Sequence, residues 1–403
     1  MKSISYKDNW LQEVHTGVII KFFNCRFVRN GLPVGNEDLW VLDGKVLNPH
    51  HVFFELKQGP EVEVDCQGLI LTAGFIDLQV NGAFGVDFTS CAPNQFVDSL
   101  HKVAAGLTQF GITAFCPHAM ISSNPDVYKS LIPLAAKASL SSSGGAATIL
   151  GLHLEGPFIS NEKRGCHSIQ NIVSDFGENP AQTIAHTYGQ FTAQDVAIVT
   201  LAPELPGSLD AIKYFRDKGV HVSLGHSAGN LDEGQRAMQG GARLVTHMFN
   251  ALKPFHHRQP GLIGLLTCAP PALTLPFELP SKTCPSGLVL VSDCISALGL
   301  KDGVHKLGDE NVHVTGDLAV RENGVVAGSV AKMPHCIRTL KKCVECSLEE
   351  ALKCATTNPA TALGIQAKMG SLDYGSVADF VLIDEQVKVH ATFVSATRCF
   401  LNE

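Results

Sequence analysis

Four stretches decide the fold: ATILGLHLEG (147–156), VAIVTLAPE (196–204), VHVSLGHS (220–227) and RLVTHMFN (243–250). Each is an apolar run of strand length that ends on polar or charged side chains. Such runs fit strands buried on both faces of a parallel sheet, where no alternation is required. GFIDLQVNG (74–82), ITAFCPH (112–118) and GLVLVSDCI (287–295) repeat the pattern. Amphipathic segments separate the runs. Asn230 with Glu233, and Ser347 with Glu350, have the spacing of capping boxes at helix starts. The stretch from Ser141 to Gly145 reads as a flexible loop. Seven or eight strand–helix units fit an α/β fold of the (β/α)8, TIM-like barrel type. The polar residues separate that fold from an open doubly wound sheet. Gln79, Asn81, His118, Glu155, His226, His247 and Asp293 all fall at the C-terminal ends of the runs, which in a barrel converge on one face. An open sheet gathers its ligand site at one switch point instead.

Outside this core the pattern changes. Residues 17–72 alternate apolar and polar positions around turn signals, and 370–403 do the same. Both read as short strands, and Asp43-Gly44 is a hairpin signal between its flanking runs. The expected organisation is a small β-sandwich domain built from 1–72 and 370–403, with the barrel over 73–369.

The 403 residues are 45% hydrophobic and 17% charged, with 37 Gly and 20 Pro, which is a globular chain rich in turns. A net charge of −7 leaves no bulk positive field for nucleic acid or anionic lipid. No apolar run approaches the roughly 18 residues of a membrane span. The opening MKSISYKDNWLQEV lacks the apolar region of a secretory signal. Thirteen scattered cysteines without a regular framework read as reduced, mostly buried thiols. A cytoplasmic protein is expected, with neither nucleic acid nor membrane as partner.

Glu155, His226 and His247 offer one carboxylate and two imidazoles from three strand ends, a donor set suited to Zn²⁺ with a position left open. A lone strand-end histidine is commonly a hydrogen-bonded structural residue, and a lone glutamate often caps the next helix. Three at equivalent ends of successive units favour a metal. Asp293 ends the last run, where a carboxylate facing a metal can take a proton from attacking water and return it to a leaving nitrogen. His153 lies two residues before Glu155 and points to the same side of its strand.

With those residues go longer motifs. HLEGPFIS (153–160), KRGCHS (163–168), LGHSAGN (224–230), THMFNALKPFHHRQPG (246–261), TAGFIDLQVNGAFGVDF (72–88) and GSLDYGSVADFVLID (370–384) together resemble the N-acetylglucosamine-6-phosphate deacetylase family of the amidohydrolase superfamily. The last motif marks the superfamily only. The resemblance implies that Glu155, His226 and His247 are the metal ligands and Asp293 the catalytic acid/base. It places Gln79-Val80-Asn81 where many amidohydrolases carry His-x-His. Amides are poor ligands beside imidazole, so one divalent ion per subunit is expected, with Zn²⁺ the first choice and Fe²⁺, Co²⁺ or Mn²⁺ open. For a small-molecule phosphosugar substrate it implies contacts from Asn250 and Ala251, and a phosphate grip from Arg258 across a homodimer interface. Arginine's planar fork suits phosphate. Cys166 and His167 would close over the sugar, and Val326, Ala327 and Gly328 would line the acetyl end. Ser329 is expected to start the following helix, its hydroxyl serving as a cap or as a contact.

Between GLIGLLT (261–267) and GLVLVSD (287–293) the resemblance breaks. The family carries a strand ending in Ile-Ala-Asp-Gly-x-His there, whereas this chain has the shorter CAPPALTLPFELPSKTCPS. Proline cannot donate to a ladder, so a degenerate seventh strand from Ala272–Leu275 is expected. Two readings stay open: a shortened form of an ordinary enzyme, or a variant with weak or lost activity. The expected function is hydrolytic deacetylation of N-acetylglucosamine-6-phosphate in aminosugar metabolism. Its rivals are a catalytically silent sugar-phosphate or metal-binding homologue, and an amidohydrolase acting on a cyclic amide or aminopurine.

Overall fold

The buried apolar runs form a parallel sheet that carries the site. The computed structural model describes residues 2–35, 37–118, 124–140, 145–267, 287–307, 310–321 and 326–402. The strands are β1 (Phe75–Val80), β2 (Ile112–Pro117), β3 (Thr148–Ile149), β4 (Leu152–Glu155), β5 (Val196–Leu201), β6 (His221–Leu224) and β7 (Leu244–Val245). Pairing is parallel between β1 and β2, β2 and β3, β4 and β5, β5 and β6, and β6 and β7. β3 and β4 are halves of one extended segment. Gly151, at φ +106°, turns the chain between them, so the first half pairs with β2 and the second with β5. A left-handed φ favours glycine there, and an added Cβ would also crowd the Ala197 backbone at 3.1 Å.

Helices α1 (Pro93–Leu107), α2 (Pro125–Leu140), α3 (Pro180–Tyr188), α4 (Ser208–Asp217) and α5 (Leu231–Gly240) lie between the strands, and each packs on the next. In α1 the buried face is Phe96, Leu100, Val103 and Leu107, at the helical spacing that keeps one stripe on the sheet. The capping boxes form as expected. Glu233 N donates to Asn230 Oδ1 at 2.9 Å and Asn230 N to Glu233 Oε2 at 2.7 Å. Ser347 and Glu350 repeat the exchange at 3.2 and 2.9 Å. This is an α/β architecture.

The expected last strand, 287–295, builds no ladder among the described residues. Among the described residues Val80 bridges to Cys294 in parallel, and Cys294 to Ser329. Asp77 Oδ1 accepts from both Gln79 N and Ser292 N at 3.2 Å, tying β1 to this stretch. Leu290 N donates to Cys354 O, and Leu288 O accepts from Asn358 Nδ2. Its backbone groups therefore find partners beyond a sheet. The chain that would flank it, with the expected degenerate strand, falls within 268–286 and lies outside the described residues.

The stretch after Asp293 differs from expectation. Strands Gly303–Leu307, Glu310–Thr315, Leu318–Arg321 and Val326–Ser329 form an antiparallel sheet. Ser329 ends that sheet and does not start a helix. Its Oγ accepts from Ala331 N at 2.8 Å, and the next helix, α6, runs Met333–Val344.

Strand-like segments from both termini come together. One sheet holds Lys2–Ser5, Val62–Asp65, Ile20–Phe23, Leu39–Leu42 and Lys45–Val46. The other holds Thr397–Leu401, Val389–Val394, Phe380–Ile383, Ile70–Ala73, Arg26–Arg29 and Leu32–Val34. They share one apolar core, in which Phe22 meets Phe380 and Phe393 edge-on at 4.8 and 5.4 Å. Asp43 and Gly44, at φ +48° and +72°, make the expected two-residue hairpin turn.

Candidate metal centre

Three side chains meet above the C-terminal ends of the parallel strands. Glu155 ends β4, His226 follows β6, and His247 follows β7. Their ligand atoms all lie within 4.8 Å of one another. Glu155 Oε1 is 3.2 Å from His226 Nε2 and 3.0 Å from His247 Nε2, and the two Nε2 atoms are 3.1 Å apart. The far nitrogens explain this orientation. His226 Nδ1 donates to Lys163 O at 2.8 Å and His247 Nδ1 to Asn250 O at 3.2 Å. Carbonyls only accept, so each Nδ1 carries the hydrogen and each Nε2 turns a lone pair inward. Two lone pairs facing one another beside a carboxylate require a cation between them. The donor set fits a divalent ion, and without one a proton takes its place. Burial works against that proton, yet the hydrogen bond and charge of Glu155 push His247 up to about 9. Burial likewise pushes Glu155 up, but the charges of His226 and His118 and the hydrogen bonds from His167 and His226 outweigh it and hold the carboxylate well below its usual range.

Asp293 faces this cluster from the 287–293 stretch. Its Oδ1 accepts from Asn81 Nδ2 at 2.9 Å. Burial, with the Glu155 charge second, pushes its carboxyl up to about 6. It caps no helix. The Asp293 carbonyl accepts from Ser329 N at 3.2 Å, which brings the expected Val326, Ala327 and Gly328 segment alongside the acid. An added Cβ at Gly328 would collide with Ile295 Cγ2.

Other expected contacts are distributed unevenly. His167 reaches the centre, with Nε2 3.4 Å from Glu155 Oε2. Cys166 is half-buried in the same loop, which is anchored where Ser160 N donates to His226 O at 2.8 Å. Asn250 holds His247 through its backbone, while its own side chain is exposed. Ala251 O accepts from Ser227 N at 3.1 Å, which joins the two histidine loops. Arg258 is exposed, outside the hydrogen-bonded cluster.

The residues from 70 to 399 match the amidohydrolase family. The N-acetylglucosamine-6-phosphate deacetylase of Caenorhabditis elegans is 45% identical over 96% of each chain. This chain belongs to the N-acetylglucosamine-6-phosphate deacetylases of the amidohydrolase family. The enzyme of that name from Rattus norvegicus is 42% identical over 94% of each chain. The crystal structure of N-acetylglucosamine-6-phosphate deacetylase from Pasteurella multocida superposes with a TM-score of 0.79 at 26% identity, across 95% of this chain and all of that one.

Four groups around the centre of this amidohydrolase carry no role in the sequence reading. Gln79 Nε2 donates to Glu155 Oε1 at 3.3 Å, and Asn81 holds Asp293. His118 Nε2 lies 3.4 Å from Glu155 Oε2, and burial drives that imidazole down to about 3 against the pull of the Glu155 charge. His153 bonds Leu78 O and Thr200 Oγ1. All four are strand-end or near-end polar residues on buried runs. That signal marks them as site residues without distinguishing support from ligation.

Proposed function

We propose that this chain hydrolyses the acetamide of N-acetylglucosamine-6-phosphate to glucosamine-6-phosphate and acetate, within aminosugar metabolism. The observation that carries the proposal is the convergence of Glu155, His226 and His247 opposite Asp293, in a chain whose relatives bear that enzyme's name. Those relatives favour hydrolysis over binding without turnover. Glu155, His226 and His247 would hold one divalent ion, Zn²⁺ by preference for this donor set. When bound, such an ion supplies a Lewis acid for the amide carbonyl and lowers the pKa of water towards about 7.

The chain's own residues do the rest. Asp293, held by Asn81, accepts the proton of the attacking water and delivers it to the departing nitrogen. A carboxyl near 6 is largely ionised at neutral pH, yet basic enough for that exchange. His167 and Cys166 close the sugar side, and the Val326, Ala327 and Gly328 backbone lines the acetyl end. Asn250 and Ala251 meet the sugar, and Arg258 grips the phosphate. The exposure of Arg258 supports a site completed by a second subunit, hence a homodimer.

The central sheet supports a (β/α)8 barrel with a degenerate seventh position, over 73–369, and the terminal sheets a β-sandwich domain from 1–72 and 370–403. No helix among the described residues is long and apolar enough to cross a membrane, which accords with the cytoplasmic placement we propose. The test is acetate release from N-acetylglucosamine-6-phosphate by the Zn²⁺-loaded chain. No release from protein that still binds the ion overturns the hydrolase reading.

A further inference from the structure

A line of buried hydrogen bonds runs beneath the metal centre. His153 Nδ1 bonds Leu78 O on β1 at 2.9 Å, and His153 Nε2 bonds Thr200 Oγ1 on β5 at 2.7 Å. Thr200 Oγ1 then meets Thr246 Oγ1 at 2.7 Å, and Thr246 Oγ1 meets Ser223 Oγ on β6 at 2.6 Å. His153, Thr200, Thr246 and Ser223 are only 3%, 0%, 5% and 2% exposed, so water cannot substitute for a missing partner. The carbonyl of Leu78 only accepts, so Nδ1 donates. A neutral imidazole that donates from Nδ1 accepts at Nε2. Thr200 therefore spends its hydrogen on His153 and accepts from Thr246, which in turn accepts from Ser223. Every hydroxyl has one permitted direction.

The line touches each ligand strand. His153 is two residues before Glu155, Thr246 directly precedes His247, and Ser223 is three residues before His226. It also crosses the break at Gly151, where the ladder passes from one pair of strands to the next. Gly225, next to His226, leaves the room these side chains occupy: an added Cβ would lie 2.8 Å from Thr200 Cγ2 and 2.9 Å from Thr246 Cβ.

We infer that the His153–Thr200–Thr246–Ser223 line holds the three ligand strands at metal-binding spacing, with Thr200 and Thr246 as positioning residues for the ion. The inference rests on the metal centre proposed above. Bound metals tolerate errors of about 0.2 Å in ligand distance, and the backbone ladder alone ties β4 to β7 only through neighbouring strands. Outer partners of ligands typically contribute about 10- to 100-fold to metal affinity.

The experiment measures the Zn²⁺ dissociation constant of the full chain by competition with a chromophoric chelator, beside the melting midpoint of ion-free protein. Thr200→Val keeps the shape and removes the hydroxyl, and about 10- to 100-fold weaker binding is expected. Thr200→Ser should restore affinity to within about threefold, since it returns the donor and acceptor. Thr392→Val is the control. That threonine is fully buried in the terminal sheet and donates to Thr108 O at 2.7 Å, so its loss should lower the midpoint without touching Zn²⁺ affinity. If Thr200→Val does not fold, Ser223→Ala, which removes only the terminal donor, takes its place with the same expected direction. Unchanged affinity in the variant, or equal weakening in Thr392→Val, overturns the inference alone. Wild-type protein that binds Zn²⁺ no better than Glu155→Gln overturns the metal centre itself.

Discussion

Asp293→Asn should separate chemistry from folding. The replacement keeps an Oδ1 to accept from Asn81 Nδ2, now at 2.9 Å, and removes the proton acceptor. A general acid–base group contributes about 10²- to 10⁴-fold in rate, which is about 3–5 kcal/mol of barrier. Stability should move the other way. Burial and the nearby Glu155 charge raise the carboxyl from 3.8 to about 6. The folded chain then binds this proton more tightly than the unfolded chain does. The resulting cost is absent below about pH 4, grows as pH rises, and is complete above about pH 6. Two pH units correspond to at most about 3 kcal/mol, less whatever residual solvent contact screens. Ion-free Asp293→Asn protein should therefore match wild type at about pH 4 and equal or exceed its stability at about pH 8. The assays are kcat/KM for acetate release with saturating Zn²⁺, and denaturant unfolding in chelator at both pH values. A loss in kcat/KM of less than about tenfold, against the range for acid–base groups, would refute the catalytic role. A variant less stable than wild type at the higher pH would refute the electrostatic argument.

Other outcomes can be stated as directly. Chelation should abolish acetate release, and Zn²⁺ titration should both restore it and raise the melting midpoint, since an ion that binds only the folded chain stabilises it. Arg258→Ala should raise KM for the phosphorylated sugar by about tenfold or more with kcat little changed, the pattern of lost uniform binding; an unchanged KM removes Arg258 from the phosphate site. Gly328→Ala places a Cβ against Ile295 Cγ2 at a backbone φ of +139° and should destabilise by about 1–3 kcal/mol, read as a lower denaturant midpoint. Asp379 is raised by burial to about 7 and accepts from Ser395 N at 2.7 Å. Its contribution to stability should fall as pH rises from about 4 to 7, and a pH titration of unfolding in which Asp379→Asn shows the same slope as wild type refutes this.

The central strands and the metal cluster were legible in the sequence because burial on both faces forces apolar runs, and because a strand-end His or Glu breaks such a run visibly. Asn230 and Ser347 were readable because a capping box is a local device, confined to four residues. The Gly303–Ser329 sheet was missed although its segments carry strand-like alternation, because its short strands have neither the continuous apolar runs nor the strand-end ligands that mark the central sheet. Support roles were also hidden. Nothing in its sequence neighbourhood tells that His153 bonds Leu78 and Thr200, 75 and 47 residues away. Ser329 sits where a helix cap would, but a cap must stand beside its helix, and Met333 begins that helix too far on. The β3–β4 break was equally unreadable, since Gly151 inside an apolar run looks like any small residue until its φ is known.

His226, His247 and Asp293 share an unusual backbone: φ is +47°, +25° and +47°, the region where an L side chain costs on the order of 1–3 kcal/mol. Selection at these three sites should therefore pull in opposite directions. In a library scored only for abundance in cells, glycine and asparagine should rise at 226, 247 and 293, because they relieve the strain. In the same library scored for growth on the acetylated sugar phosphate, those variants should vanish. Positions where the two rankings invert would mark the chemistry of this chain without any structure, and a lineage freed from the reaction should lose these residues before it loses the fold.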